Sequence, residues 1–364
     1  FLGTIENPKH KHLFFTPVVG WNNYDKTLVG FAFYNSIAPK KGFEFQIMPM
    51  LSTGVIDFTG MGMAAYNWYP KKLQRVRIEL NAMRFNYNHW YNDAFSQTRF
   101  LAFNKFTPKI ELSFKKKDPT SSFSHKLHFR SINILQDYRG YDATNDEESE
   151  VTAYYHTNEL EYSLKNDRLR LPYSFKATWQ HCTDFAAISS TANIKINYPN
   201  MRKGLDLRFF AGVFLKDESP RLNPVYGPEP PNRNFAASLS PSNINTARRF
   251  PSDHTFDQIF LDRSGYGAFS RRQVALTQGG FRSVIPSVTD DWLITVTAAS
   301  SFIWKIPLRP FFGVGAGRII DPNDVELFAE MGVSIALIPN ILEVHFPLIT
   351  TENIKENQEL YGFN

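Results

Sequence analysis

Nine histidines, at 10, 12, 89, 125, 128, 156, 181, 254 and 345, are the residues best suited to metal or proton chemistry. No His-Glu-x-x-His occurs among them, so the chain carries no zincin site. His10 and His12 have ligand spacing in "HKH", but no carboxylate or cysteine stands beside them, and a basic linker is the better reading. The single cysteine, Cys182, excludes an internal disulfide framework and a multi-cysteine zinc site. "GVGAG" (313–317) looks like a phosphate loop but lacks its lysine. Like "GMGMAAY" (60–66), it reads as small residues that let a strand curve or another segment approach closely. "DATNDEESE" (142–150) has carboxylates for a divalent cation or a lipopolysaccharide bridge, but not the spacing of a calcium loop, and a solvated loop is preferred. No catalytic residue, metal ligand or cofactor site is therefore assigned to this chain.

The other chemistry is charge. Arg75, Arg77, Glu79, Lys109, Glu111, Arg130, Glu159, Glu161, Lys176, Lys195, Asp206, Arg208, Glu326 and Glu330 all fall on polar faces of alternating segments. One reading is a charged pore wall that selects a solute. The other, preferred here, is a lumen closed by cross-strand ion pairs and water. Both signs are mixed, so no ion preference follows. The net charge of +5 is mild and spread along the chain, so it argues only weakly for a nucleic-acid partner, and none is expected.

What must position these charges is a set of strands. In "FTPKIELSF" (106–114), Phe106, Pro108, Ile110, Leu112 and Phe114 oppose Thr107, Lys109, Glu111 and Ser113. The same period of two runs through 75–82, 173–180, 192–198 and 325–337. A soluble β-sandwich and a membrane β-barrel both alternate. Three features favour the barrel: charges deep within the strands, strands of about ten residues that suit a tilted crossing, and aromatics at strand ends. These are Trp21, Tyr24, Tyr34, Trp68, Tyr69, Trp90, Tyr91, Tyr198, Trp292 and Trp304, placed as interface girdles would be. A mean hydropathy of −0.32 is compatible, since only alternate barrel residues meet lipid.

The pattern predicts an all-β, antiparallel, up-and-down transmembrane barrel of about 14–16 strands. Fifteen are visible, at 12–20, 27–36, 43–52, 56–68, 75–87, 105–116, 125–137, 152–164, 172–184, 188–197, 204–215, 291–304, 308–317, 324–337 and 341–350. Short basic or proline-containing turns, such as "APKKG" and "YPKKLQ", follow every second strand. These read as periplasmic turns, which puts the N-terminus in the periplasm. The other connections, at 88–104, 138–151 and 216–290, read as longer extracellular loops. Single-chain bacterial barrels have even strand numbers, so a closing strand beyond residue 364 is expected, with 355–364 leading to it. The barrel then spans 12–354. Within 216–290, the amphipathic piece 254–272 is expected to fold over or into the mouth, burying Phe256, Ile259, Phe260 and Leu261 as a plug.

"NPKHKHLFFTPVVGWNNYDKTLVGFAFYN" (7–35), "PKKGFEFQIMPMLSTG", "YNWYP", "FDQIFLDRSG", "GGFRS" and "IPNILEVHFPL" together span nearly the whole chain. They resemble the C-terminal barrel region of large bacterial outer-membrane proteins. In these a gluzincin-type, aminopeptidase N-like metallopeptidase region precedes the barrel. The resemblance implies that residues 1–11 are a periplasmic linker from that region. It also implies that any zinc and any peptidase activity lie in the part before the barrel. The expected role is an anchor that orients such a region in the outer membrane of a Gram-negative bacterium, within a larger membrane assembly. Its partners would be outer-membrane lipid, lipopolysaccharide and other outer-membrane proteins. The alternative is a solute pore or gated channel with a charged lumen.

Overall fold

The computed structural model describes residues 13–22, 24–36, 41–92, 97–142, 147–183, 185–199, 203–217, 246–247, 252–253, 257, 281–283, 291–301, 307–318, 324–338, 342–352 and 354–355. Fifteen strands form one sheet in chain order. They are β1 (Phe14–Asn22), β2 (Lys26–Tyr34), β3 (Phe43–Ser52), β4 (Phe58–Trp68), β5 (Leu73–Asn92), β6 (Gln97–Phe114), β7 (Phe123–Asp142) and β8 (Glu147–Asn166). The series continues with β9 (Tyr173–His181), β10 (Phe185–Asn197), β11 (Gly204–Asp217), β14 (Trp292–Ser300), β15 (Leu308–Arg318), β16 (Val325–Ile338) and β17 (Leu342–Thr350). The two-residue strands β12 (Thr246–Ala247) and β13 (Ser252–Asp253) pair only with each other. Every ladder is antiparallel and the fifteen strands pair in chain order, β11 with β14 past the small β12–β13 pair, which is the up-and-down barrel arrangement.

The faces are inverted relative to a soluble sheet. Phe15 and Val19 of β1 are 70% and 72% exposed, and Leu327 of β16 is 69% exposed. Phe106 and Ile110 of β6 are also exposed, while their neighbours Lys105 and Thr107 are buried. Alternate residues thus turn an apolar belt outward and polar groups inward, as lipid requires of a barrel wall. Strong curvature encloses the polar face. The side chain of Asn86 in β5 reaches Asp25, beside the β1–β2 turn, at 2.6 Å. Neighbouring strands lie about 4.8 Å apart, so a flat sheet would hold those groups well out of reach.

Two sequence expectations need correction. Residues 88–104 and 138–151 are not long loops. β5 and β6 pair as far as Asn92↔Gln97, and β7 and β8 as far as Asp142↔Glu147. Of the acidic stretch, Asp142 ends β7, and Glu147, Glu148, Ser149 and Glu150 begin β8. The strands run past the lipid belt there, where neither face needs to be apolar and the alternation fades.

The small residues have the expected use. Gly60 in β4 adopts φ +147°, and a Cβ there would sit 2.2 Å from the Met48 carbonyl oxygen. At Gly313 in β15, a Cβ would meet the Glu330 side chain at 3.2 Å and the Phe281 ring at 3.4 Å.

Candidate functional site

The strand registers put all fourteen charged residues named above on the buried face. Their surroundings divide that face into three zones.

The first is a charge-balanced belt near the Pro-Lys turns of β3–β8. One cross-strand row runs Glu44, Ala65, Glu79, Lys109, Arg130, Glu159, Gln180. Arg77, one step along, donates to Glu44 at 2.5 Å and to Glu79 at 2.6 Å. Lys109 reaches Glu79 at 3.0 Å, and Arg75 reaches Glu111 at 2.5 Å. Arg130 binds Glu159 through two nitrogens, at 2.6 and 3.1 Å, and Gln180 donates to the same carboxylate at 2.8 Å. A third Arg130 nitrogen donates at 2.7 Å to Asp257, which also pairs with Lys105. Asp257 belongs to neither partner strand, so this bond ties the long connection between β11 and β14 to the wall. Cations and carboxylates share donors and acceptors here as buried charges must.

The second zone is apolar. Leu28, Met50, Phe85, Tyr87, Leu101, Phe103, Ile132, Ile134 and Tyr155 form one buried cluster on the inner face of β2–β8, on the loop side of the belt. Sequence reasoning treated the whole inner face as polar and missed it. The signal was present in "FLAF" (100–103), where apolar residues fill both faces. Asp25, fully buried, closes this zone at the β1–β2 turn. It accepts hydrogen bonds from Asn22 Nδ2 at 2.6 Å and from the backbone and side chain of Asn86 at 3.1 and 2.6 Å.

The third zone is a cavity of about 420 Å³ on the turn side of β7–β11. Among the described residues its charged lining is Lys126, Lys165, Lys176 and Arg208, with no carboxylate, and Ser124, Ser163, Ser174, Thr191 and Asn193 add hydroxyl and amide groups. The cross-strand row through it reads Ser124, Lys165, Ser174, Asn193, Arg208, Thr297, Gly313, Glu330. Arg208 is 5% exposed, and its Nε and Nη2 have no hydrogen-bond partner among the described residues. Glu330, the acid of that row, is instead held by the backbone amides of Arg282 and Ser283 at 2.7 and 2.8 Å. Phe281 beside them is fully buried against Phe210, Leu293, Phe328 and Ile354.

The named aromatics are not equivalent. Trp68, Tyr69 and Tyr91 are more than half exposed, and Trp21, Tyr34, Tyr198 and Trp292 are intermediate. Tyr198 shares a hydrogen bond of 2.7 Å with Ser300. Tyr24 is a correction. It is 3% exposed and packs on His89 with ring centroids 5.6 Å apart, because the β1–β2 turn folds inward over β5. The Trp90 side chain, Trp304, and the plug residues Phe256, Ile259, Phe260 and Leu261 lie outside the described residues. Among the described residues no group of three or more His, Cys, Asp or Glu is arranged to hold a metal ion.

An apolar outer belt, a polar interior and an up-and-down strand order define an integral membrane β-barrel protein. No family model matches the chain, and neither does any curated protein. Among solved structures it is similar to CdiB from Acinetobacter baumannii, at 7% identity and a TM-score of 0.42, covering 93% of this chain and 56% of that one. The chain thus spans a little over half the length of that protein.

Proposed function

We propose that the chain is an outer-membrane β-barrel that anchors and orients a periplasmic region, with a filled interior in place of an open pore. The observation that carries this reading is the apolar cluster on the inner face of β2–β8, backed by the self-paired charges beside it. A water-filled channel needs a polar wall along its length, and here Phe85 and Phe103 are fully buried instead. The region being anchored is the metallopeptidase-like one that the sequence resemblance implies, with its zinc and its chemistry outside this barrel. The start of β1 lies at the same end as the β2–β3 turn, since Phe14 pairs with Tyr34. A periplasmic set of short turns therefore brings an N-terminal periplasmic region with it. Lipid and lipopolysaccharide meet the outer belt, and other outer-membrane proteins are candidate neighbours.

Reconstitution in planar bilayers tests the proposal. The expected record has no steady conductance, and stable open-channel steps in the intact chain would overturn the anchor reading. A second reading, a gated anion channel, is favoured by the cationic cavity alone. Conductance that appears only when residues 219–290 are deleted would support it.

A further inference from the structure

We propose that the cavity lined by Lys126, Lys165, Lys176, Thr191, Asn193 and Arg208 is a binding site for a phosphate-bearing small molecule. Arg208 carries the argument. Its guanidinium keeps its charge in any protein environment, and an uncompensated buried charge is strongly disfavoured. Yet Nε and Nη2 are buried with no hydrogen-bond partner. The acids that share its face are already engaged. Asp206, two residues away, accepts from Arg309 at 2.7 Å, and Glu330 accepts two backbone amides. What remains near Arg208 among the described residues is the face of the Phe210 ring, 5.4 Å from Cζ, which orients the guanidinium but cannot neutralise it.

The lysines complete the site. Lys126, Lys165 and Lys176 contact Glu111, Asp167 and Glu161 at 3.4, 2.9 and 3.3 Å, and none of these acids lines the cavity. All three lysines are roughly half exposed, so such pairs are weak and their ammonium groups can turn to a ligand. A fork of guanidinium donors with several ammonium charges and hydroxyls suits a tetrahedral oxyanion bearing more than one charge. The volume falls within the roughly 300–1,000 Å³ of small-molecule sites, leaving room for a group attached to the phosphate. Both a free phosphate compound and a lipid headgroup present this chemistry. The proposal does not depend on the anchor reading.

Calorimetric titration of the whole detergent-solubilised chain with inorganic pyrophosphate is the test, with sodium chloride at matched ionic strength as the control. Saturable binding is expected, weakened about tenfold or more in Arg208→Gln, and unchanged in Lys71→Gln, whose lysine is in an exposed turn. Heat-modifiable gel migration reports folding. If Arg208→Gln does not fold, the Lys165→Gln/Lys176→Gln double variant carries the same expectation. Glycerol 3-phosphate in a parallel titration separates the sources. Tighter binding of it than of pyrophosphate assigns a lipid headgroup, and the reverse assigns a free polyanion. No saturable heat in the native chain, or equal affinity in the folded Arg208 and lysine variants, would overturn the proposal.

Discussion

Arg130 in β7 and Arg208 in β11 sit on the same buried face, four strands apart, and their neighbourhoods are opposites. Arg130 spends its donors on Glu159 and Asp257. Arg208 keeps two buried nitrogens without a partner. The difference is one of register. Cross-strand pairing sets Glu159 opposite Arg130, but sets the neutral Asn193 and Thr297 on either side of Arg208. One residue type thus serves as a structural tie in one row and as an open valence in another.

Mutation to methionine sharpens this contrast most. Arg130→Met strands Glu159, 3% exposed, and loosens Asp257. It is expected to lose about 3–5 kcal/mol in urea unfolding from lipid vesicles. Arg208→Met orphans no acid, and its stability should be unchanged or higher by about 1 kcal/mol. Equal losses in the two variants would mean that Arg208 has a structural partner after all, and the contrast would fall.

A smaller effect concerns pH. Burial alone would raise the Asp257 carboxyl, but Arg130 and Lys105 outweigh it and hold the group well below the usual carboxylate range. A depressed folded-state pKa contributes stability above the unfolded value, and that contribution is lost only as pH falls through the folded one. A nitroxide at position 253, in a Cys182→Ser background, should therefore stay immobilised at about pH 4, where an ordinary aspartate is half protonated. Loosening between about pH 5 and 4 would show that the tie titrates as a free carboxylate does.

The smallest effect is expected where charge pairing is exposed. Arg84 and Asp57 meet at 3.1 Å with side chains 43% and 42% exposed. A double-mutant cycle there should return about 0.2–1 kcal/mol, and less in high salt. A coupling as large as the Arg130 loss would erase the distinction between buried and surface pairs.

The wall was legible in the sequence because lipid on one side and polar groups on the other impose a period of two. All fifteen sheet strands follow from it. The ends of β5–β8 were not legible, since 88–104 and 138–151 lie beyond the belt that enforces the alternation. The site was half legible. Arg208 could be placed on the inner face from "LDLRFF" (205–210). Its lack of a partner could not, because neighbours across a sheet lie tens of residues away and a one-residue slip would exchange Asn193 for a different face. The inward fold of Tyr24 was hidden for the same reason: it depends on Asn86, 61 residues on from Asp25.

The unequal strands also give the molecule a silhouette. β1, β2, β9, β14 and β17 have 9 residues each, while β5, β7 and β8 have 20. At about 3.3 Å per residue and a tilt of roughly 40°, these rise some 23 and 50 Å along the barrel axis. The short turns hold the lower ends of the strands level, so the surplus stands entirely at the other rim. Among the described strands, β5–β8 rise about 25 Å further along the axis than the shortest ones. Among the described residues the wall stands highest along β5–β8, a parapet on that side of the mouth.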